Sequence, residues 1–245
     1  FAITSRTGPE FVLPYYWNIA SNRDFPLFPR VMTRRGLQLG GQYRYLEHGH
    51  QGDLRFEYTP DDSLTGTSRH LYSLQHDFHN VLGWGGRVDL RGVSDDNYFV
   101  DYSRSILASS ERVLPRDVYA ARQFGDLAVL VRATRYQSIL DARLAPPYER
   151  VPQVNAVWTK RDYNGFDIDA VFDATLFRRP LEGSPEGLRL VANPQVSYPI
   201  VRPGWLIVPE ASLHLSSYQL SDSGAFPDSV QRAVPTLSID GGLVF

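Results

Sequence analysis

Apolar and polar residues alternate with a period of two along most of this chain, the signature of β-strands with one apolar face and one polar face. Leu54, Phe56 and Tyr58 alternate with Arg55 and Glu57, and Val88 and Leu90 with Arg87, Asp89 and Arg91. The longest run sets Phe166, Ile168, Ala170, Phe172, Ala174 and Leu176 against Asp167, Asp169, Asp173 and Thr175. Trp205, Ile207, Pro209, Ala211, Leu213 and Leu215 then oppose Glu210, Ser212, His214 and Ser216; Leu237, Ile239, Gly241, Leu243 and Phe245 oppose Thr236, Ser238, Asp240 and Gly242. Turn-forming clusters at 47–53, 60–68, 145–149, 161–165, 180–187 and 221–228 separate the runs. The pattern predicts an all-β chain of about ten or eleven strands and no amphipathic helix.

Several runs reach the roughly 9–11 residues of a tilted transmembrane strand rather than the five or six usual in soluble sheets. Two architectures fit. In a soluble sandwich the apolar face is the core; in an antiparallel transmembrane β-barrel it meets lipid and the polar face lines the lumen. Aromatics near strand ends, such as Tyr43, Tyr45, Trp84, Trp158 and Trp205, together with unequal loops, favour the barrel.

The 245 residues carry 25 basic and 27 acidic side chains, so no net positive field recruits nucleic acid. Lys160 is the sole lysine, leaving arginine as the cation throughout, either from codon bias or from a need for bidentate anion contacts. Cysteine is absent, which excludes disulfides and thiolate chemistry within the stretch. The start at Phe1 suggests a mature chain or an excerpt.

No catalytic constellation is visible: there is no nucleophile elbow, P-loop or zincin motif, and Gly83–Gly86 reads as a tight turn. His76 and His79 are three apart and point to opposite faces of a strand, which disfavours a shared metal. Asp167, Asp169 and Asp173 share a face and form either a hard-cation site or a solvated surface. Pro14 and Pro29 fall inside strand-like runs, where proline cannot donate to a ladder. They are either ordinary strand starts or the mark of a weakly bonded first hairpin.

The strings Pro14-Tyr15-Tyr16-Trp17-Asn18-Ile19-Ala20, Pro29-Arg30-Val31-Met32 and Arg35 to Leu46 resemble the start of the barrel of the LptD family, which assembles lipopolysaccharide in Gram-negative outer membranes. The segments Ser94 to Tyr102, Leu188 to Tyr218 and Pro235 to Phe245 resemble it in the same order. Ser21 departs from the family's usual proline. The resemblance implies that residues 1–10 end a periplasmic jelly-roll domain and that 11–245 form the N-terminal portion of an outer-membrane barrel of about two dozen strands. It implies that Phe245 only mimics a terminal assembly signal. Its further implications are a lateral gate at Pro14, Tyr15, Tyr16, Asn18 and Pro29, and a polar lumen lined by Asp167, Asp169, Asp173, Asn193, Gln195, Glu210 and His214. As partners it implies lipopolysaccharide, outer-membrane lipids, an LptE-like lipoprotein plug inside the barrel and a periplasmic lipopolysaccharide bridge, with no nucleic acid, no cofactor and no enzymatic step. The alternative is a complete small outer-membrane barrel, acting as a passive pore or a membrane enzyme; a soluble β-sandwich binding module is third.

Overall fold

The computed structural model describes residues 1–102, 112–139, 145–221 and 227–243. Phe245, whose terminal role was considered above, lies outside them. Two compact units emerge: residues 1–118 with 134–147, and residues 119–133 with 148–245.

The first unit contains β1 (Ala2–Thr4), β2 (Gly8–Val12), β3 (Tyr15–Ala20), β4 (Arg23–Leu27), β5 (Arg30–Met32), β6 (Gly36–Glu47), β7 (His50–Asp62), β8 (Thr67–Val81), β9 (Trp84–Val93) and a helix, α1 (Tyr98–Tyr102). Next come β10 (Val113–Phe124) and β11 (Leu127–Ser138), which contribute to both units. The second unit continues with β12 (Glu149–Tyr163), β13 (Phe166–Arg178), β14 (Glu186–Ser197), β15 (Ile200–Arg202), β16 (Trp205–Ser221) and β17 (Ser229–Leu243).

Among the described residues, eleven strands, β6 to β14 with β16 and β17, have ten residues or more. These are the strands the alternation predicts, and the all-β antiparallel expectation holds. Of the six short strands, β3, β4 and β5 fall in the strand-like runs around Pro14 and Pro29, whereas β1, β2 and β15 escaped the alternation because a period of two is not legible over three to five residues. The expected turns are too wide: Gly52, Asp53, Pro60 and Asp61 lie inside β7. The tight turn there is His48–Gly49, with Gly49 at φ 82°. Ladder bonding to β6 and β8 holds turn-prone residues extended, because sheet pairing outweighs local preference.

Residues opposite one another in an antiparallel ladder share a face. In the first unit, Gly41, Phe56, Tyr72 and Gly92 form one row, and Tyr43, Leu54, Leu74 and Leu90 another. Large rings fill the space left by missing side chains: a Cβ on Gly92 would lie 2.5 Å from the Tyr72 ring. The opposite face carries Gln42, Arg55, Ser73 and Arg91, then Arg44, Asp53, Gln75 and Asp89. In the second unit, Ala156, Phe172, Ala192, Leu215 and Ala233 share an apolar row.

Burial then separates the two architectures. Within the second unit Phe172 is 47% and Leu237 83% exposed, whereas Thr175 and Ser216, on the polar face, are buried. That is the reverse of a sandwich core and the arrangement expected of a barrel wall. The hydrophobic cluster is small. It consists of Met32, Val93, Tyr98, Phe99, Tyr102, Leu114 and Ile139, gathered where α1 packs in the first unit.

No helix was expected, and α1 is a correction. It forms because Asp95 caps it: the carboxylate accepts the Asn97 N–H at 3.0 Å and the Asp95 carbonyl accepts the Tyr98 N–H at 3.2 Å. Tyr98, Phe99 and Tyr102 are then buried on one side of a single turn.

Candidate functional site

Pro14 and Pro29 lie in two facing breaks. β2 and β3 are separated by Leu13-Pro14, and β4 and β5 by Phe28-Pro29. Val12 pairs with Arg30 on one side of the gap and Tyr15 with Leu27 on the other, in unchanged register. Leu13 therefore stands opposite Pro29 and Pro14 opposite Phe28. The Leu13 N–H donates to the Pro29 carbonyl at 3.0 Å. In a hydrogen-bonded antiparallel pair the two residues exchange both bonds, but Pro29 has no N–H to return. Pro14 sits at a position whose nitrogen points away from β4, so it removes a donor from the other side of the strand.

The named gate residues divide between faces. Tyr16 and Asn18 share the face of Asp24, whose carboxylate accepts the Tyr16 hydroxyl at 2.9 Å. Tyr15 is on the other face with Trp17, which meets Phe25 at 6.4 Å between ring centroids. All six residues of β3 are exposed.

Register also brings the seven predicted polar residues onto one face of the second unit. Asp167 pairs with Ser197 and then Glu210; Asp169 pairs with Gln195 and then Ser212. Asn193 pairs with Val171, and His214 with Val234, both on that face. Asp169 accepts from Arg161 Nη1 at 2.8 Å and Nη2 at 2.9 Å. Asp173 gathers Gln153 Nε2 at 3.0 Å, Thr175 Oγ1 at 2.8 Å and Arg189 Nη2 at 3.0 Å. Protein cations and amides thus occupy these carboxylates, and the hard-cation alternative loses its motive.

A second constellation escaped the sequence. Asp62, fully buried, accepts from Arg35 at 2.6 Å, Arg69 at 3.0 Å and the Tyr102 hydroxyl at 2.9 Å. Arg69 also forks onto Asp95 at 2.8 and 2.6 Å and reaches Asp101 at 2.7 Å, while its guanidinium lies over the Tyr102 ring. Arg30 pairs with Glu10 and donates to the Tyr102 carbonyl at 3.2 Å. Partners up to 72 residues apart carry no local spacing that could have announced them.

In this cluster, burial pushes the Asp95 carboxyl up, but hydrogen bonds from Arg69 and Ser94 overcome it and hold it below its ordinary 3.8. Burial, with Glu57 beside it, pushes the Tyr98 hydroxyl far up, so it stays protonated and donates to Glu57 at 2.9 Å. A cavity of about 580 Å³ opens beside α1, lined among others by Val12, Phe28, Gln38, Leu71 and Phe99.

Long antiparallel strands with one exposed apolar face, one ion-paired polar face and a proline-broken first hairpin define a membrane-barrel wall protein. The profile of the family LPS transport system D (LptD) matches residues 67–245, and the chain belongs to that family. It is 39% identical over 248 residues to the LPS-assembly protein LptD of Cupriavidus necator, covering 98% of this chain and 30% of that protein. The LPS-assembly protein LptD of Ralstonia nicotianae is 40% identical over 251 residues, covering 100% and 31%. That of Bordetella pertussis is 36% identical over 263 residues, covering 100% and 33%. The chain thus spans about a third of the length of these curated relatives.

Proposed function

We propose that this chain forms the N-terminal wall of an outer-membrane barrel that delivers lipopolysaccharide to the outer leaflet, with a lateral gate at Pro14 and Pro29. The observation that carries the reading is the one-way bond between Leu13 and Pro29. Lipopolysaccharide is an amphiphile whose glycan needs a wet path and whose acyl chains must avoid water. A barrel with a polar lumen satisfies the first need, and a seam that parts sideways satisfies the second.

A missing ladder bond weakens such a seam more in hydrocarbon than in water, because no solvent replaces the lost partner. Asp167, Asp169, Asp173, Asn193, Gln195, Glu210 and His214 line the lumen in this reading, supported by their shared face. Pro14, Tyr15, Tyr16, Asn18 and Pro29 form the gate, with Tyr16 and Asn18 toward the lumen and Tyr15 toward lipid. Residues 1–10 are read as the exit from a periplasmic jelly roll, supported by the short β1–β2 ladder, Ala2 to Glu10 through Thr4 to Gly8. A lipoprotein plug would meet the polar face, and a periplasmic bridge would dock on the preceding domain. The process is gated conduction driven from elsewhere.

The test replaces Pro14 and Pro29 together with alanine in the full-length protein and measures lipopolysaccharide at the cell surface. Export is expected to slow; undiminished surface lipopolysaccharide with normal barrel levels would sink the gate reading.

A further inference from the structure

Residues 1–10 meet the rest of the first unit along one edge and at α1. The β1–β2 hairpin has three pairs, and a second ladder of three joins β2 to β5. The Thr33 N–H donates to the Pro9 carbonyl at 3.0 Å and the Arg34 N–H to the Thr7 carbonyl at 3.2 Å, which carries this edge to the hairpin tip, Ser5-Arg6-Thr7. A ladder that short fixes one edge only and leaves a two-stranded hairpin to twist about it.

Side chains hold the tip from a second direction. Arg6 Nη1 donates to the Val100 carbonyl of α1, and Arg34 donates to the Ser5 carbonyl. Arg35 Nε donates to the Arg6 carbonyl at 3.2 Å, while its Nη2 pairs with Asp101 at 2.9 Å and its Nη1 with Asp62 at 2.6 Å. One buried guanidinium thus joins the hairpin tip, α1 and the end of β7. Only the planar fork of arginine, with donors fixed in several directions, makes such a three-way contact.

The helix depends on the same contacts. A helix leaves its last carbonyls unpaired, cations there complement its dipole, and a helix of one turn is too short to stand alone. α1 has no basic residue in its last turn. Its cations come from the start of the chain: Arg6 takes the Val100 carbonyl, and Arg30, paired with Glu10, takes the Tyr102 carbonyl at 3.2 Å. We infer that α1 is a seat for the periplasmic exit, and that Arg6 and Arg35 are positioning residues that lock the β1–β2 tip onto it, so that the domain ahead of residue 1 meets the barrel at one set angle. The inference rests on the reading of residues 1–10 as that exit and adds what fixes it.

The test measures a distance in the full-length protein. Nitroxide labels at Phe1→Cys and Leu82→Cys, positions 87% and 86% exposed, report the separation of the exit from the β8–β9 turn by pulsed electron spin resonance. The distribution is expected to be narrow in the parent, and to stay narrow in Arg6→Lys, whose ammonium still donates to the Val100 carbonyl. Arg6→Ala with Arg35→Lys keeps a cation beside Asp62 but gives up the fork, and is expected to broaden the distribution with the barrel still heat-modifiable. A distribution equally narrow in that variant, or already broad in the parent, overturns the inference.

Hydrogen exchange covers the case in which the double variant does not assemble. Arg6→Ala alone is expected to lower the protection of residues 98–102, although Arg6 and Val100 stand 94 residues apart in the chain. Unchanged protection there overturns the seat. The exit reading is tested apart from it: a membrane-impermeant maleimide is expected to label Phe1→Cys only after the outer membrane is permeabilised. Labelling in intact cells would sink the exit reading and leave the exchange result standing.

Discussion

The Leu13 N–H donates to the Pro29 carbonyl at 3.0 Å, and the pair ends there, because Pro29 has no N–H to give back. One rung of the first hairpin is thereby halved without disturbing the register around it, since Val12–Arg30 and Tyr15–Leu27 pair normally on either side. A defect that leaves register intact weakens a seam while preserving its specificity.

Pro29→Ala alone supplies the missing donor. It is expected to stabilise the hairpin by about 0.5–1.5 kcal/mol, the net value of an ordinary hydrogen bond, and to slow lipopolysaccharide export in the full-length protein. Hydrogen exchange at residue 29 and surface lipopolysaccharide in the same variant check the two halves of the expectation.

Asp62→Ala strands Arg35, Arg69 and Tyr102 around a buried void. Breaking a buried ion pair by removing one partner costs about 3–5 kcal/mol, and a loss of that size is expected in denaturant unfolding of the assembled protein. A loss under about 1 kcal/mol would mean that the remaining carboxylates, Asp95 and Asp101, satisfy the arginines unaided.

Acid is expected to release α1. The Asp95 carboxyl is held below its ordinary 3.8 in the folded protein, so the stability it contributes is present above that value and is lost as pH falls through the lower, folded one. Hydrogen exchange across residues 94–102 at pH 5 and at pH 3 reads this directly. Protection factors, which divide out the intrinsic slowing of amide exchange in acid, are expected to be smaller at the lower pH, and Asp95→Asn is expected to remove most of the difference.

Gly187→Ala tests the second unit. Gly187 has φ 158°, and a Cβ there would lie 2.2 Å from the Gln219 carbonyl oxygen, a backbone atom that cannot swing aside. The expected cost is about 1–3 kcal/mol or more, seen as a lower midpoint for loss of the heat-modifiable form.

Alternation made the long strands legible because a strand's two faces are written in consecutive residues. Asp167 and Asp169 could be placed on one face from the sequence, and ladder pairing carries that face on to Gln195 and Ser212. Pro14 and Pro29 were visible as anomalies. Which neighbour each of them fails to bond was not visible, because that depends on the direction of the proline nitrogen, and the direction is set by register. The preference for arginine also acquires a use, since Arg30, Arg44, Arg69 and Arg161 each make forked contacts to a carboxylate.

By itself the sequence determined the antiparallel β class and the apolar and polar faces of the long strands, because a period-two pattern needs only neighbours along the chain. Tertiary structure decided which bonds the prolines remove and how Glu10, Arg30, Asp62, Arg69, Asp95 and Tyr102 come together. It also exposed the apolar face while burying Thr175 and Ser216. These depend on pairing between distant strands, where the strength of an ion pair or the weakness of a seam follows from what the surrounding chain excludes or fails to supply.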